Sequence, residues 1–359
     1  SILAAADALG PDNVEVQLAL GRHFYKRQDF KTSEEHFRSA QMLNPANAEV
    51  YYYQGLLYRK LQPENIREAM RLFYDAYLRD PQNYPALSEW LKLKVLTFDK
   101  IFAIKFIRNL IEMDAKNANL YWVFGEIYAA NKEFLRAVTQ YHRSLDLDNT
   151  SARVRVSLAR ALQAVGRLDD AVAEFKLSSE LDNKNGEGYF EAANILFEAK
   201  NFAAAEANLT LLLKMVPNYP AGRRLRSKVY QAMKKQDAAI EEMKAEVAAN
   251  PFNYRYTIEL AELYMDYMKY EDAVKELTKI STLSVDSKTP ASVKNEKIRA
   301  LLLLSRCYRA QNSPETAEGA IKLALSMDSG DPELHREMGY VYHALKRDRE
   351  AANSFKTYL

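Results

Sequence analysis

Several features that often reveal the class of a protein are scarce or absent in this chain of 359 residues. Cys307 is the only cysteine, which excludes an internal disulfide framework. Glycine and proline number only 11 each, and this scarcity argues against long flexible linkers. No stretch approaches the roughly 18–20 apolar residues that a membrane-spanning helix needs, so we predict no direct membrane insertion.

The chain also lacks an excess of charge of one sign, because its formal net charge is only +2. Proteins that bind nucleic acid carry a basic patch or a basic stripe, and we therefore predict no nucleic-acid partner. The first residues, Ser1 to Asp7, lack the basic segment of a secretory signal peptide. A cytoplasmic location is expected, and a periplasmic location stays open if an N-terminal signal has been removed.

What the chain does contain is a strict internal period. Seven alanines recur at intervals of 34 residues, namely Ala69, Ala103, Ala137, Ala171, Ala205, Ala239 and Ala273. Ser33 stands 36 residues before this series, and Ala317 and Ala351 follow it after 44 and a further 34 residues. A fixed period of this length indicates a stack of helix–turn–helix units.

Other positions become regular when each residue of the series is taken as position 20 of a unit. Small residues occupy position 8, as in Gly21, Gly55, Gly125, Ala159, Ala193, Ser227, Ala261, Ser305 and Gly339. Bulky residues occupy position 24, as in Phe37, Phe73, Ile107, Tyr141, Phe175, Leu209, Met243, Leu277, Ile321 and Phe355. This pattern predicts that small residues on one helix pack against large residues on its partner.

With proline at the expected ends of four second helices (Pro45, Pro81, Pro217 and Pro251), the pattern resembles the tetratricopeptide repeat family over essentially the whole chain. The resemblance implies an all-α fold, a right-handed superhelical solenoid of antiparallel helix pairs. It also implies that the first helices of the pairs form a concave wall.

The register predicts repeats of unequal regularity. Residues 1–13 are the C-terminal part of a truncated repeat, and residues 14–287 hold eight repeats. The third of these is degenerate, because Leu91 and Lys94 occupy positions 8 and 11. Residues 288–297, which are polar and include Pro290, are predicted to be an inserted loop. Residues 298–359 hold two further repeats, the last one truncated, so we expect a fragment of a longer protein or a covered last helix pair.

Residues that could support catalysis or metal binding are not arranged for it. The five histidines have no metal-ligand spacing. Acid pairs such as Asp169 and Asp170 lie where they favour a helix N-terminus, not where they could form an acid/base site. No glycine cluster fits a phosphate-binding loop. We predict a non-enzymatic protein with no cofactor and no metal.

The resemblance implies that positions 2, 5, 9 and 12 face the concave groove. The candidate partner-binding residues are Trp122, Arg153, Arg160, Phe190, Asn194, Arg224 and Lys228. The aromatic rings would be apolar anchors, the amide of Asn194 would hold a peptide backbone, and the cations would pair with carboxylates of the ligand. Alternatively, basic and acidic rows neutralise each other across neighbouring repeats.

Two functions are open at this point. The first is a scaffold or adaptor that binds a peptide or protein partner in the groove and organises a larger complex. The second is the substrate-recognition arm of a larger enzyme, such as a glycosyltransferase. The carboxylate clamp of chaperone-binding members is not matched, because Glu191 would repel a ligand carboxylate. We also expect self-association through the last helix pair, which carries Tyr340, Phe355 and Tyr358.

Overall fold

The structure, a computed structural model, describes residue 10 and residues 12–61, 63, 66–182, 184–286 and 289–358. Within these ranges the chain forms α-helices joined by short turns, with no β-strand. The all-α fold of stacked helix pairs is therefore confirmed. Most of the truncated repeat predicted over residues 1–13 lies outside the described residues.

Odd-numbered helices are the first helices of their pairs, and even-numbered helices are the second. The odd-numbered helices are α1 (Val14–Lys26), α3 (Ala48–Leu61), α5 (Tyr84–Leu96), α7 (Ala118–Ala130), α9 (Ala152–Ala164), α11 (Glu187–Glu198), α13 (Gly222–Ala232), α15 (Tyr254–Asp266), α17 (Ala291–Ala310) and α19 (Pro332–Ala344). The even-numbered helices are α2 (Phe30–Leu43), α4 (Ile66–Arg79), α6 (Lys100–Met113), α8 (Phe134–Leu147), α10 (Leu168–Leu181), α12 (Phe202–Met215), α14 (Gln236–Ala249), α16 (Tyr270–Ser281), α18 (Pro314–Met327) and α20 (Asp348–Tyr358).

The chain divides into two compact units, Ser1–Gly188 and Tyr189–Leu359. The first unit contains α1 to α10 and the start of α11, and the second unit contains the rest of α11 and α12 to α20. Each unit has its own buried apolar core. The core of the second unit includes one large cluster that extends from α14 to α19.

Packing within the helix pairs follows the expected rule of small residues against large ones. In the pair α7–α8, a Cβ atom added at Gly125 would overlap the ring of Tyr141, and in α1–α2 one added at Gly21 would overlap the ring of Phe37. Close approach of the two backbones therefore requires glycine at these positions. The residues at position 20 are all buried, namely Ser33, Ala69, Ala103, Ala137, Ala171, Ala205, Ala239, Ala273, Ala317 and Ala351.

In nine of the helix pairs, the turn between the two helices contains a residue in the left-handed conformation. The residues with positive φ at this turn are Gln28, Phe98, Lys132, Gly166, Lys200, Lys234, Met268, Asn312 and Lys346. Phe98 is unusual among them because it combines a φ of 64° with an exposed fraction of 99%. Bulky residues adopt this conformation at a cost in free energy, so Phe98 is both conformationally and hydrophobically unfavourable.

Five of the turns between neighbouring pairs are closed by a side-chain oxygen. Asp80, Asp148, Asp182 and Asp328 each accept a hydrogen bond from the backbone N–H two residues later, at 2.9–3.2 Å. Asn44 makes the same bond at 3.0 Å. Because an amide oxygen serves as well as a carboxylate, this turn does not need a charge.

The inserted loop predicted over residues 288–297 is wrong for most of its length. The long helix α17 begins at Ala291, so residues 291–297 are helical, and residue 288 lies outside the described residues. Alanine, lysine and glutamate in this segment are good helix formers, and Pro290 can precede a first helical turn without loss. Lys297 Nζ also donates a hydrogen bond of 2.6 Å to the carbonyl of Leu283. The polar composition reflected exposure to solvent, not a loop.

The third pair, α5–α6, is built differently from its neighbours, although both helices form. Leu91 replaces the small residue of position 8 and is fully buried. The Trp90 ring instead packs against Tyr74, at 4.5 Å between ring centroids, and against Phe106, at 5.2 Å. The ammonium group of Lys94 lies 5.1 Å from the centroid of Phe102. Aromatic contacts thus replace the usual close helix approach.

The last pair, α19–α20, keeps the usual packing, because Phe355 lies against Gly339 and at 5.3 Å from the Tyr340 ring. Tyr340 is exposed beside the guanidinium of Arg309, and Tyr358 lies under that of Arg336. Self-association through these residues stays a prediction.

Candidate peptide-binding grooves

The first helices of the first unit surround a groove of about 960 Å³, which we call the first-unit groove. Its walls come mainly from α3, α5, α7, α9 and the start of α11, and from the turns that precede α5, α9 and α11. Tyr52, Lys92, Trp122, Arg153 and Arg160 are among its lining residues. Three of the seven residues predicted to bind a partner therefore line one continuous surface.

Trp122 lies in a hydrogen-bonded network on the groove wall. Its indole Nε1 donates to Ser157 Oγ at 3.1 Å, and Ser157 Oγ donates to Glu126 Oε1 at 2.9 Å. The hydroxyl of Tyr141 donates to the same oxygen of Glu126 at 2.7 Å. Trp122 is only 6% exposed, and the guanidinium of Arg153 covers its ring at 5.2 Å. The indole therefore forms part of the wall, with Arg153 between it and solvent.

Lys92 continues this network towards the N-terminal side of the groove. Its Nζ lies 2.6 Å from Glu89 Oε1 and 3.2 Å from Glu126 Oε2. Arg59 also forms an ion pair with Glu89. Burial alone would lower the pKa of Lys92, but Glu126 and Glu89 outweigh burial and raise it. Lys92 is therefore a charged structural link between repeats.

Arg160 is paired within its own unit. Its Nη2 lies 2.5 Å from Glu187 Oε1, and its side chain remains 60% exposed. Together with the Lys92–Glu126 pair, this contact matches the alternative in which charged rows neutralise each other across repeats. Such exposed pairs are typically worth about 0–1 kcal/mol, so a ligand could displace Glu187 at little cost. Partner binding by Arg160 stays a prediction.

The electrostatic environment of the first-unit groove is visible at Tyr52. Burial and the nearby carboxylate of Glu89 raise the pKa of the Tyr52 hydroxyl to about 12. Arg153 and Arg59 act in the opposite direction but do not cancel this effect. Burial is the main cause of this rise, and the carboxylate of Glu89 adds to it.

The second unit contains a smaller groove of about 320 Å³, the second-unit groove, between α13 and α15. Arg224 and Glu259 form a bidentate pair there, with N–O distances of 2.7 and 2.6 Å. Burial would lower the pKa of Arg224, but Glu259 raises it overall. Arg224 also lies 5.0 Å from the centroid of Tyr256. Its guanidinium is thus largely committed to α15.

Lys228 lines the same second-unit groove and is exposed. No ion pair joins it to any residue in the described part of the chain. Among the four predicted cations, Lys228 is therefore the one whose charge is most accessible to a ligand.

Phe190 and Asn194 lie on α11 in the second unit. The Phe190 ring packs against Tyr219 at 5.2 Å and contacts the apolar cluster of α11 to α13. The Nδ2 of Asn194 donates to the carbonyl of Phe190 at 3.1 Å, so one donor of its amide is used within the helix. Their roles as apolar anchor and backbone clamp stay predictions.

Some residues of the first-unit groove were missed from the sequence. Ser157 is one of them, and it occupies position 6, next to the positions assigned to the inner wall. Tyr141 of the second helix α8 is buried and does not line the groove, but its hydroxyl supports Glu126 from behind the wall. A usable signal existed in the row Lys92, Glu126 and Arg160, which alternates in sign at intervals of 34 residues. This row predicts contacts between repeats, but it contains no information about Ser157.

Three further observations concern metal binding, membrane insertion and the single cysteine. Within the described ranges, no cluster of three or more His, Cys, Asp or Glu side chains is placed to hold a metal ion. Across the same ranges, every helix is too short or too polar to cross a membrane. Burial raises the pKa of the Cys307 thiol to about 11, so this cysteine is protonated near neutral pH.

Comparisons with known proteins point to repeat-containing proteins. The family model described as tetratricopeptide repeat matches residues 3–86 and 156–221. Human superkiller complex protein 3 is 25% identical over 278 residues, which cover 73% of this chain and 17% of that protein. The DnaJ homolog subfamily C member 7 homolog of Schizosaccharomyces pombe is 23% identical over 218 residues, which cover 55% of this chain and 46% of that protein.

The chain thus spans less than half the length of these two relatives. Among solved structures, a tetratricopeptide repeat protein from Parabacteroides merdae matches with a TM-score of 0.41 and 16% identity. That match covers 72% of this chain and 99% of the other.

Proposed function

We propose that this chain, which belongs to the tetratricopeptide repeat family, is a non-enzymatic scaffold that binds a segment of a protein partner in its first-unit groove. Proteins of this family generally mediate protein–protein interactions and the assembly of complexes. In this role the chain would connect its partner to a larger complex.

The observation that carries the proposal is the pre-formed first-unit groove. Its volume of about 960 Å³ is in the range of pockets that enclose ligands of substantial size. The network of Trp122, Ser157 and Glu126 holds the wall in place before any partner arrives. A rigid wall reduces the entropy lost on binding, which favours recognition of an extended segment.

A substitution that fills the groove tests the proposal. Val156 lines the groove on α9 and is only partly buried. In Val156→Trp, the added indole is expected to occupy the space of the bound segment and abolish capture of the partner. Proteins bound by the full chain would be compared for both forms by affinity capture and mass spectrometry.

The control is Leu135→Trp, which places the same indole at an exposed site outside the groove lining. Circular dichroism must show equal helical content in all three proteins. If Val156→Trp retains every partner that the unchanged chain captures, the groove is not the binding site and the proposal fails.

A further inference from the structure

We infer that the segment bound in the first-unit groove carries lysine or arginine side chains. This inference rests on the proposed function above and names the chemistry of its partner.

The lining of the first-unit groove has more carboxylates than cations. Its six acidic residues are Glu49, Asp80, Glu89, Glu126, Asp182 and Glu187, and its three basic residues are Lys92, Arg153 and Arg160. Lys92 and Arg160 form ion pairs within the wall, and Arg153 lies on the Trp122 ring. The cations of the groove are therefore already engaged with the chain itself.

Three carboxylates remain unneutralised. Glu49, Asp80 and Asp182 form no ion pair with any residue that the structure describes. Two of them accept a single backbone hydrogen bond in the turns before α5 and α11. These groups lie at the edge of the groove, where a ligand cation could reach them while remaining partly hydrated. An acidic segment would instead meet like charge, which costs affinity.

The aromatic residues of the groove lining also favour a segment that carries lysine or arginine. Tyr53 lines the groove and has the guanidinium of Arg22 at 4.9 Å from its ring centroid, as Trp122 has that of Arg153. Cations are attracted to the faces of aromatic rings. The groove thus already contains cation–ring contacts of the kind that a basic segment would extend.

The charge of the edge carboxylates can be separated from their part in the fold. Asn44 closes the same turn with an amide oxygen at 3.0 Å. In the double variant Asp80→Asn/Asp182→Asn, both turns should therefore persist while two negative charges disappear from the groove. The matched control is Asp148→Asn/Asp328→Asn, which makes the same change in two equivalent turns that do not line the first-unit groove.

The experiment selects binders to the full chain from a displayed library of random short peptides and measures their affinities by fluorescence polarisation. The selected peptides should be enriched in lysine and arginine. Their binding should weaken about fivefold in Asp80→Asn/Asp182→Asn, as expected for the loss of two partly exposed ion pairs. It should remain unchanged in the control variant and weaken as salt concentration rises.

The outcomes separate this inference from the proposed function. Peptides that lose binding in Val156→Trp but are neutral or acidic would overturn the basic partner and leave the groove as the binding site. Equal affinity for the groove variant and its control would also overturn the inference. Peptides that bind Val156→Trp as well as the unchanged chain would instead contradict the proposed function itself.

Discussion

The two grooves are built from the same repeat but differ in how their charges are balanced. In the second-unit groove three basic residues (Arg224, Lys228 and Arg255) stand with three acidic ones (Glu259, Glu262 and Asp266). In the first-unit groove six carboxylates stand with three cations, and the space is about three times as large. The scaffold positions that set the fold are the same in both, so the difference lies in side chains that the fold does not constrain. Specificity can therefore change without a change of architecture.

The largest expected effect concerns the helix approach that positions the first-unit groove. Gly125→Ala would place a methyl group into the ring of Tyr141, which also holds Glu126. We expect the local free energy of unfolding of α7–α8 to fall by about 2–3 kcal/mol, because overpacking forces the ring or the backbone to move. Native-state hydrogen exchange would measure this locally.

The control for Gly125→Ala lies in the second unit. Gly319 is in the interior of α18, and a Cβ atom there would meet no atom within 4 Å. The same substitution at Gly319 should stabilise its helix by about 0.5–1 kcal/mol, since alanine restricts the unfolded chain. If Gly125→Ala and Gly319→Ala changed the free energy of unfolding in the same direction, the predicted difference in packing between the two glycines would be contradicted.

The second prediction compares the Lys92–Glu126 ion pair of the first-unit groove with the Arg224–Glu259 ion pair of the second-unit groove. Glu126→Gln would weaken the contacts to Lys92, Tyr141 and Ser157 and leave Lys92 with Glu89 alone. We expect a loss of about 1–2 kcal/mol in the free energy of unfolding, because the Lys92 ammonium would be less well compensated.

The matched change is Glu259→Gln in the second unit, where Arg224 is also held by the Tyr256 ring. It should cost less than about 1 kcal/mol, because the side chain of Glu259 is 25% exposed and that of Glu126 is 16% exposed. Hydrogen exchange of α7 and α15 would report each loss separately. If Glu259→Gln lowered the free energy of unfolding more than Glu126→Gln does, the prediction would be contradicted.

The third prediction concerns the pH dependence of stability that Glu246 causes in the second unit. Glu246 in α14 is only 5% exposed, and burial raises its pKa, although Arg224 and Arg223 oppose this. A raised pKa means that the folded state holds the proton more tightly. Its contribution to stability is present below the unfolded pKa of about 4.3 and is lost as pH rises through the folded value.

Glu246→Gln removes this dependence. At pH 7 the variant should therefore be more stable than the unchanged chain, and the gain should vanish at low pH. Urea unfolding followed across this pH range measures it. A gain that does not depend on pH would show that ionisation of Glu246 is not its cause.

The fold could be predicted from the sequence to a much greater extent than the grooves. Ala137 and Gly125 are informative because their packing tolerates few side chains, so their spacing reveals the helix pairs. The inner wall has no such constraint. The family resemblance predicts Arg160 as a cation facing the groove, but the pairing of Arg160 with Glu187 depends on side-chain geometry between neighbouring repeats. The loop prediction for residues 291–297 is wrong because a polar composition is equally compatible with an exposed helix.

The smallest expected effect concerns the turn of the irregular third pair in the first unit. Phe98→Gly should raise the free energy of unfolding by about 0.5–1 kcal/mol, because glycine adopts the positive φ of this turn without strain. The exposed ring of Phe98 has little packing to lose. The reverse change at the equivalent turn, Gly166→Ala, should lower stability by a similar amount, since Gly166 has a φ of 81° and no atom near its missing Cβ. Chemical denaturation of both variants checks the pair, and a loss of stability in Phe98→Gly would mean that the phenyl ring makes a stabilising contact in solution.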